Sequence, residues 1–97
     1  MRLEILAEAE QDLLDGVHFY EKQREGIGGY FLESLLADIE SLHQFAGVHA
    51  LEFGYYRMLA KRFPFAVYYR TEDEKIRVFA VLDLRRNPAW IRNRLSH

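Results

Sequence analysis

An α+β fold, one antiparallel helical hairpin packed on a small and mainly antiparallel sheet, is predicted by three features of the chain. Its hydrophobic period changes from the strand value to the helical one near residue 7, and back after residue 54. Glycines at 26, 28, 29 and 47 punctuate the helical stretch. The last part of the chain is dense in aromatic and β-branched residues, which suit a pleated, half-buried surface.

Residues 1–6 place Met1, Leu3 and Ile5 on one face and Arg2 and Glu4 on the other, as a strand does. From Ala7 the residues Ala9, Leu13, Gly16, Val17 and Tyr20 recur at helical spacing, with Glu8, Asp12, Asp15 and Lys22 assigned to the solvent face. Gly26 ends this helix, and Gly28-Gly29 is read as the turn. A second helix is predicted over residues 30–46 on the stripe Phe31, Leu35, Ile39 and Leu42, with Gly47 as its stop. A loop of a few residues obliges the two helices to lie antiparallel. Residues 47–54 show no period and read as a connector. Residues 55–62 and 65–70 read as strands, and Pro64 falls between them, where no ladder N–H is needed. Glu72-Asp73-Glu74 is a turn before residues 75–84 alternate again. There Ile76, Val78, Ala80, Leu82 and Leu84 are expected to cover the hairpin, with Phe79, Val81, Asp83 and Arg85 on the opposite face. Pro88 opens a short C-terminal helix in the first-turn position that its missing N–H suits. The expected order is β-α-α-β-β-β followed by that helix.

The 97 residues suffice for one core and not two, so residues 1–97 are read as a single domain. With 49% hydrophobic and 29% charged residues, the composition is that of a soluble globular protein. The chain has no cysteine, which excludes disulfides and thiolate metal sites. Its start carries Glu4 and Glu8 and is not read as a signal peptide, and nothing approaches a membrane span. A cytoplasmic protein with no membrane partner is expected. His18, His43 and His49 lack the spacing of a ligand pair around a carboxylate and read as boundary or surface residues. No metal and no cofactor is therefore expected.

Charge is divided along the chain. Residues 1–53 hold 3 Lys/Arg against 11 Asp/Glu, whereas residues 54–97 hold 10 against 4. Such a split points to a polyanionic or acidic partner on the basic side. The stretch AVLDLRRNPAWIRNR concentrates the signal, with Arg85, Arg86, Arg92 and Arg94 around the single tryptophan, Trp90.

The chain resembles the ParE branch of the RelE/ParE superfamily of bacterial toxins from type II toxin-antitoxin modules. LAEAEQDLLDGVHFYE is similar to that family's first helix and GGYFLESLLADIESL to its second. RFPFAVYY is similar to its Phe-Pro-aromatic strand, and AVLDLRRNPAWIRNR to its closing strand and Arg-rich end. Nearly the whole length is covered, and the order and spacing of the motifs carry the likeness. The resemblance implies a RelE/ParE-like fold, a cognate antitoxin as partner, and toxicity by poisoning DNA gyrase. One departure is Asp83, where many relatives have a histidine.

Three readings follow. In the first, a gyrase poison, the target-binding residues are Arg85, Arg86, Trp90, Arg92 and Arg94, because Arg and Trp are enriched at binding hot spots. In the second, a ribosome-dependent mRNA interferase, Arg57, Lys61, Arg62, Arg85 and Arg86 would stabilise phosphorane charge, with Asp83 as base. Histidine is scarce in this basic half, His97 being the only one. The third is an inactive module that only binds its antitoxin. All three require an antitoxin surface, for which Leu14, Leu36, Tyr56 and Phe79 are the candidates as surplus apolar residues.

Overall fold

A computed structural model of the chain, which describes residues 1–96, shows an α+β sandwich. Its elements are β1 (Arg2–Ile5), α1 (Ala7–Gln23), α2 (Ile27–Glu40), α3 (Leu42–Phe45), β2 (Ala50–Glu52), β3 (Tyr55–Leu59), β4 (Phe65–Glu72), β5 (Lys75–Asp83) and α4 (Pro88–Arg94). The five strands form one sheet in the order β1-β5-β4-β3-β2. β1 runs parallel to β5, and every other neighbour is antiparallel.

The main core lies between the α1–α2 hairpin and one sheet face. Ala9, Leu13, Phe31, Leu35 and Ile39 meet Phe65, Val67, Tyr69, Ile76, Val78 and Val81 there. Gly16 lets the helices approach closely, since a Cβ on it would stand 2.4 Å from the Phe31 ring. A smaller core of Tyr55, Ala66, Tyr68, Ala80 and Leu82 lies on the opposite face, covered by Ile91 and Leu95 of the α4 region.

Four expectations are corrected. Gly28 and Gly29 do not turn the chain but lie inside α2, which begins at Ile27 after Gly26 adopts φ +90°. The helix start is held from outside: Glu21 accepts the N–H groups of Gly26 and Gly28, both at 2.9 Å, satisfying donors that a helix leaves free. The second helical run divides at Ser41 into α2 and the single turn of α3. The presumed connector contains β2, an exposed edge strand paired only with β3.

The fourth correction concerns faces. Tyr68 pairs with Ala80 but Tyr69 pairs with Val78, so Phe79 is an extra residue in β5. This bulge reverses the alternation after it, because an inserted residue flips every following side chain. Ile76 and Val78 cover the hairpin as expected, but Ala80 and Leu82 face α4, and Val81 returns to the main core. Asp83 lies opposite Phe65, a main-core residue, and so belongs to the hairpin face.

Candidate functional site

The cationic end of the chain is built where β5 runs out. Asp83 accepts the backbone N–H and the Nε–H of Arg85 on one oxygen, both at 2.9 Å, and the Nη2–H on the other at 2.7 Å. The same Nη2 donates to the Tyr20 hydroxyl at 3.1 Å, and the guanidinium sits 5.8 Å from the Phe19 ring centroid. Arg85 is thus half-exposed yet held in one orientation. Partial burial pushes the Asp83 carboxyl up, but its hydrogen bonds from Arg85 and the charges of Arg85 and Arg86 outweigh this and hold it below the ordinary carboxylate range. The hydrogen bonds to Asp83 raise the Arg85 pKa further. Burial pushes the Tyr20 hydroxyl up, despite the nearby Arg85.

Arg86 takes a different course. Its guanidinium lies over the Trp90 ring at 4.1 Å from the centroid, a cation–π stack, and the described residues place no carboxylate within ion-pair distance of it. The stack is set by α4, whose first turn Pro88 favours and whose N-terminus Asn87 caps by accepting the Ala89 N–H at 2.8 Å. Trp90 therefore projects from a short, well-started helix, and Arg86 from the bend that leads into it. Arg92 is exposed on the same helix.

Arg94 does not join them. It turns inward and donates to both oxygens of Asp12, at 2.8 and 2.7 Å. Asp12 also accepts the Val81 N–H at 3.0 Å, on the side of β5 that β1 no longer covers. The side chains retain only 13% exposure for Asp12 and 19% for Arg94, so the pair joins α1, β5 and α4 from inside. Burial pushes the Asp12 carboxyl up to about 6, although the Val81 N–H and Arg94 both pull it down. Asp12 was expected on the solvent face of the first helix, and that is corrected. A signal for it was present: three residues after Ala9 and one before Leu13, Asp12 sits at the flank of the buried stripe.

Between α1, the end of β5 and α4 lies a groove of about 510 Å³ lined by Asp12, Asp15, Phe19, Asp83, Arg86, Trp90 and Arg94 among others. Lys61 and Arg62 belong to the β3–β4 turn, at the same end of the sheet as Asp83, since Phe65 pairs with Asp83 and Leu84 N–H donates to Pro64 O at 2.8 Å. Arg57 is set apart on β3, where it pairs with Glu52 at 3.3 Å. The cations named for phosphate chemistry thus share one end of the sheet except Arg57. His97 lies outside the described residues.

The apolar candidates do not form one patch. Leu14 and Leu36 are exposed on the outer surfaces of α1 and α2. Tyr56 packs against the main core, stacked on Tyr69, whereas Phe79 packs on the opposite sheet face beside Tyr55 and Arg70. Sequence reasoning passed over a denser set, Phe45, Val48, Leu51, Phe53 and Leu59, all exposed around α3, β2 and β3. Their lack of any period in a short segment concealed them. Among the described residues no group of three or more His, Asp or Glu side chains is placed to hold a metal ion, and no helix is long and apolar enough to cross a membrane.

The backbone is similar to a solved structure of the chromosomal ParDE TA system from P. aeruginosa, with a TM-score of 0.79 at 17% sequence identity, covering 87% of this chain and 96% of that one. No protein-family model and no curated protein matches the sequence. At this identity the likeness establishes a shared fold, and it is the fold that the resemblance read from the motifs implies.

Proposed function

We propose that the chain is the toxin of a type II toxin-antitoxin pair, neutralised by a cognate antitoxin, and that it acts by binding its target through the cationic end of the sheet. The fold shared with a ParDE chain over nearly the whole of both supports the toxin-antitoxin assignment. The observation that carries the binding mechanism is the pair of pre-oriented guanidiniums. Arg85 is fixed by Asp83 and Tyr20 and Arg86 by Trp90, and each keeps a solvent-facing side. Side chains ordered before contact lose less entropy on binding, and Arg and Trp are the residues from which hot spots are built. DNA gyrase is the target proposed, the guanidiniums meeting acidic protein surface or DNA phosphate. Arg92 completes this surface, and Arg94 is a positioning residue that seats α4.

Cleavage of mRNA is the weaker reading. A base must have a free lone pair within reach of the 2′-hydroxyl proton. Both oxygens of Asp83 are engaged by Arg85, and its lowered pKa makes it a poor proton acceptor. Induction of the chain alone is expected to arrest bacterial growth, and co-expression of its antitoxin to relieve the arrest. Purified protein with gyrase and plasmid is expected to yield linearised DNA or blocked supercoiling. Unaffected supercoiling together with cleaved mRNA on ribosomes would reverse the assignment, and no growth arrest at all would leave an inert module.

A further inference from the structure

The surface at the arginine end continues beyond the arginines onto the helical hairpin. Phe19, in the C-terminal part of α1, is 48% exposed, and Tyr30, in the first turn of α2, is 47% exposed. A run of ring contacts joins both to Arg85. The Arg85 guanidinium lies 5.8 Å from the Phe19 centroid, and Phe19 meets Tyr20 edge-on at 5.0 Å. Tyr20 meets Phe63 at 4.9 Å, and Phe63 reaches Tyr30 at 5.7 Å. Phe63 is half-buried and follows Lys61 and Arg62, neither of which has a carboxylate within ion-pair distance among the described residues. On its other side Phe19 lines the 510 Å³ groove together with Arg86 and Trp90. One strip of rings and cations therefore runs from α4 across α1 and the β3–β4 turn to α2.

The core beneath this strip is complete without the two exposed rings, since Phe31 and Phe65 fill it. A single exposed apolar residue needs no explanation, whereas a contiguous set does. The charges beside the rings decide which class of partner the set fits. The α1 wall of the groove carries Glu8 and Asp15. Glu8 is exposed and 3.9 Å from Arg94, and Asp15, met by the Gln11 amide at 2.9 Å, has no cation within ion-pair distance among the described residues. A nucleic-acid strand following Arg86 into the groove would bring its phosphates against these acids and has no cation to offer them. A protein surface carries both signs, with apolar groups between them.

We infer that Phe19, Tyr30 and Phe63 extend the target-contact surface, and that what meets it is folded protein rather than DNA phosphate. An apolar patch of the partner sits on the rings, its acids reach Arg85 and Arg86, and a cation reaches Asp15. The rings supply contact area at low entropic cost, because each turns about only two bonds and is already held by its neighbours. The arginines supply orientation and a faster encounter. The inference rests on the reading above for there being a target, and it chooses between the two kinds of anion which that reading allows.

The test pairs growth with binding. The full chain is induced alone in bacteria, and the purified chain is titrated against DNA-free gyrase and, separately, against a short DNA duplex at physiological salt. Phe19→Gln and Tyr30→Gln place a good helix former at each site and leave the core intact, with folding checked by melting temperature. Each is expected to relieve growth arrest and to weaken gyrase binding on the order of tenfold. Phe19→Tyr and Tyr30→Phe keep the rings and are expected to keep arrest and binding. The duplex alone is expected to bind weakly, and equally in wild type and variants. Arrest and gyrase binding unchanged in both glutamine variants would overturn the inference and leave gyrase as the target. Gyrase bound only when DNA is present, with tight duplex binding that Arg86→Ala abolishes, would also overturn it. Arrest lost in the glutamine variants although wild type binds no gyrase would support the surface and overturn gyrase as its partner. No arrest by wild type would overturn both.

Discussion

Arg94 and Arg86 belong to the same cationic tail, and the structure uses them in opposite ways. Arg94 is drawn into the molecule, where Asp12 meets both its hydrogen bonds and its charge, while Arg86 is held at the surface by an aromatic ring that leaves the charge unneutralised. The difference shows that residue type and local density do not define a binding surface. A guanidinium drawn inside against a carboxylate of its own fold is already satisfied, whereas one that keeps a solvent-facing side, over a neutral ring as Arg86 is or half-exposed beside Asp83 as Arg85 is, can still meet another molecule. On this distinction the tail separates into a fastening, Asp12–Arg94, and the proposed contact surface, Arg85, Arg86 and Trp90.

The largest effect is expected from breaking the fastening. Asp12→Ala would leave the partly buried Arg94 only the exposed Glu8, at 3.9 Å, as counter-charge and the Val81 N–H without its acceptor. Removing one member of a fully buried pair costs about 3 kcal/mol or more, and for this partly buried pair urea denaturation is expected to show a loss approaching that figure. Asp12→Asn retains an acceptor for both donors and is expected to lose far less. Equal losses in the two variants would mean that the charge, which both remove, and not the retained acceptor and shape, holds α4.

The two ends also differ in their response to pH. The folded-state pKa of Asp12 is raised from the ordinary 3.8 to about 6, so the folded state binds this proton more readily than the unfolded one. Its contribution to stability is fully present below about 3.8 and is lost as pH rises through about 6, by linkage. Shifts of this size amount to roughly 2–3 kcal/mol. Asp83, with a lowered folded-state pKa, behaves in the opposite sense. Its contribution is present above the ordinary value and is lost as pH falls through the folded one. Denaturation of wild type and Asp12→Asn between pH 4 and 7 is expected to show a decline with rising pH in the wild type that the variant lacks. A decline of equal slope in the variant would assign it to other groups.

Sequence alone reached the architecture because the hairpin stripe, the aromatic strands and Pro88 each report a local preference that the tertiary structure leaves intact. What it missed depends on contacts between distant residues. The bulge at Phe79 leaves no mark in an alternating run, and yet it decides which face Ala80, Val81 and Leu82 occupy. Gly28 looks like a turn residue until Glu21 is seen capping the helix around it. Asp12 looked solvated because nothing nearby in sequence announces Arg94 or the uncovered N–H of Val81. The arginines of the candidate site were all visible as letters, but their division into fastening and contact surface was not. That division requires knowing which acid each one meets.

The smallest effect on stability, and the sharpest test of the distinction, is expected at the surface. Arg86→Ala removes a cation–π contact that at an exposed site is worth about 0.5–1 kcal/mol, so the melting temperature should move little. If the unneutralised guanidinium is the contact, the same change should raise the concentration needed to block gyrase on the order of tenfold, the cost of one lost charged contact. Arg85→Lys probes the geometry instead. It keeps the charge but not the fork that spans both oxygens of Asp83, which lysine cannot reproduce. It is expected to leave stability within about 0.5 kcal/mol and still impair inhibition, because the cation would no longer be held by Asp83 and Tyr20. Full activity in Arg85→Lys would show that charge at this position is enough, and full activity in Arg86→Ala would remove the stacked pair from the contact surface altogether.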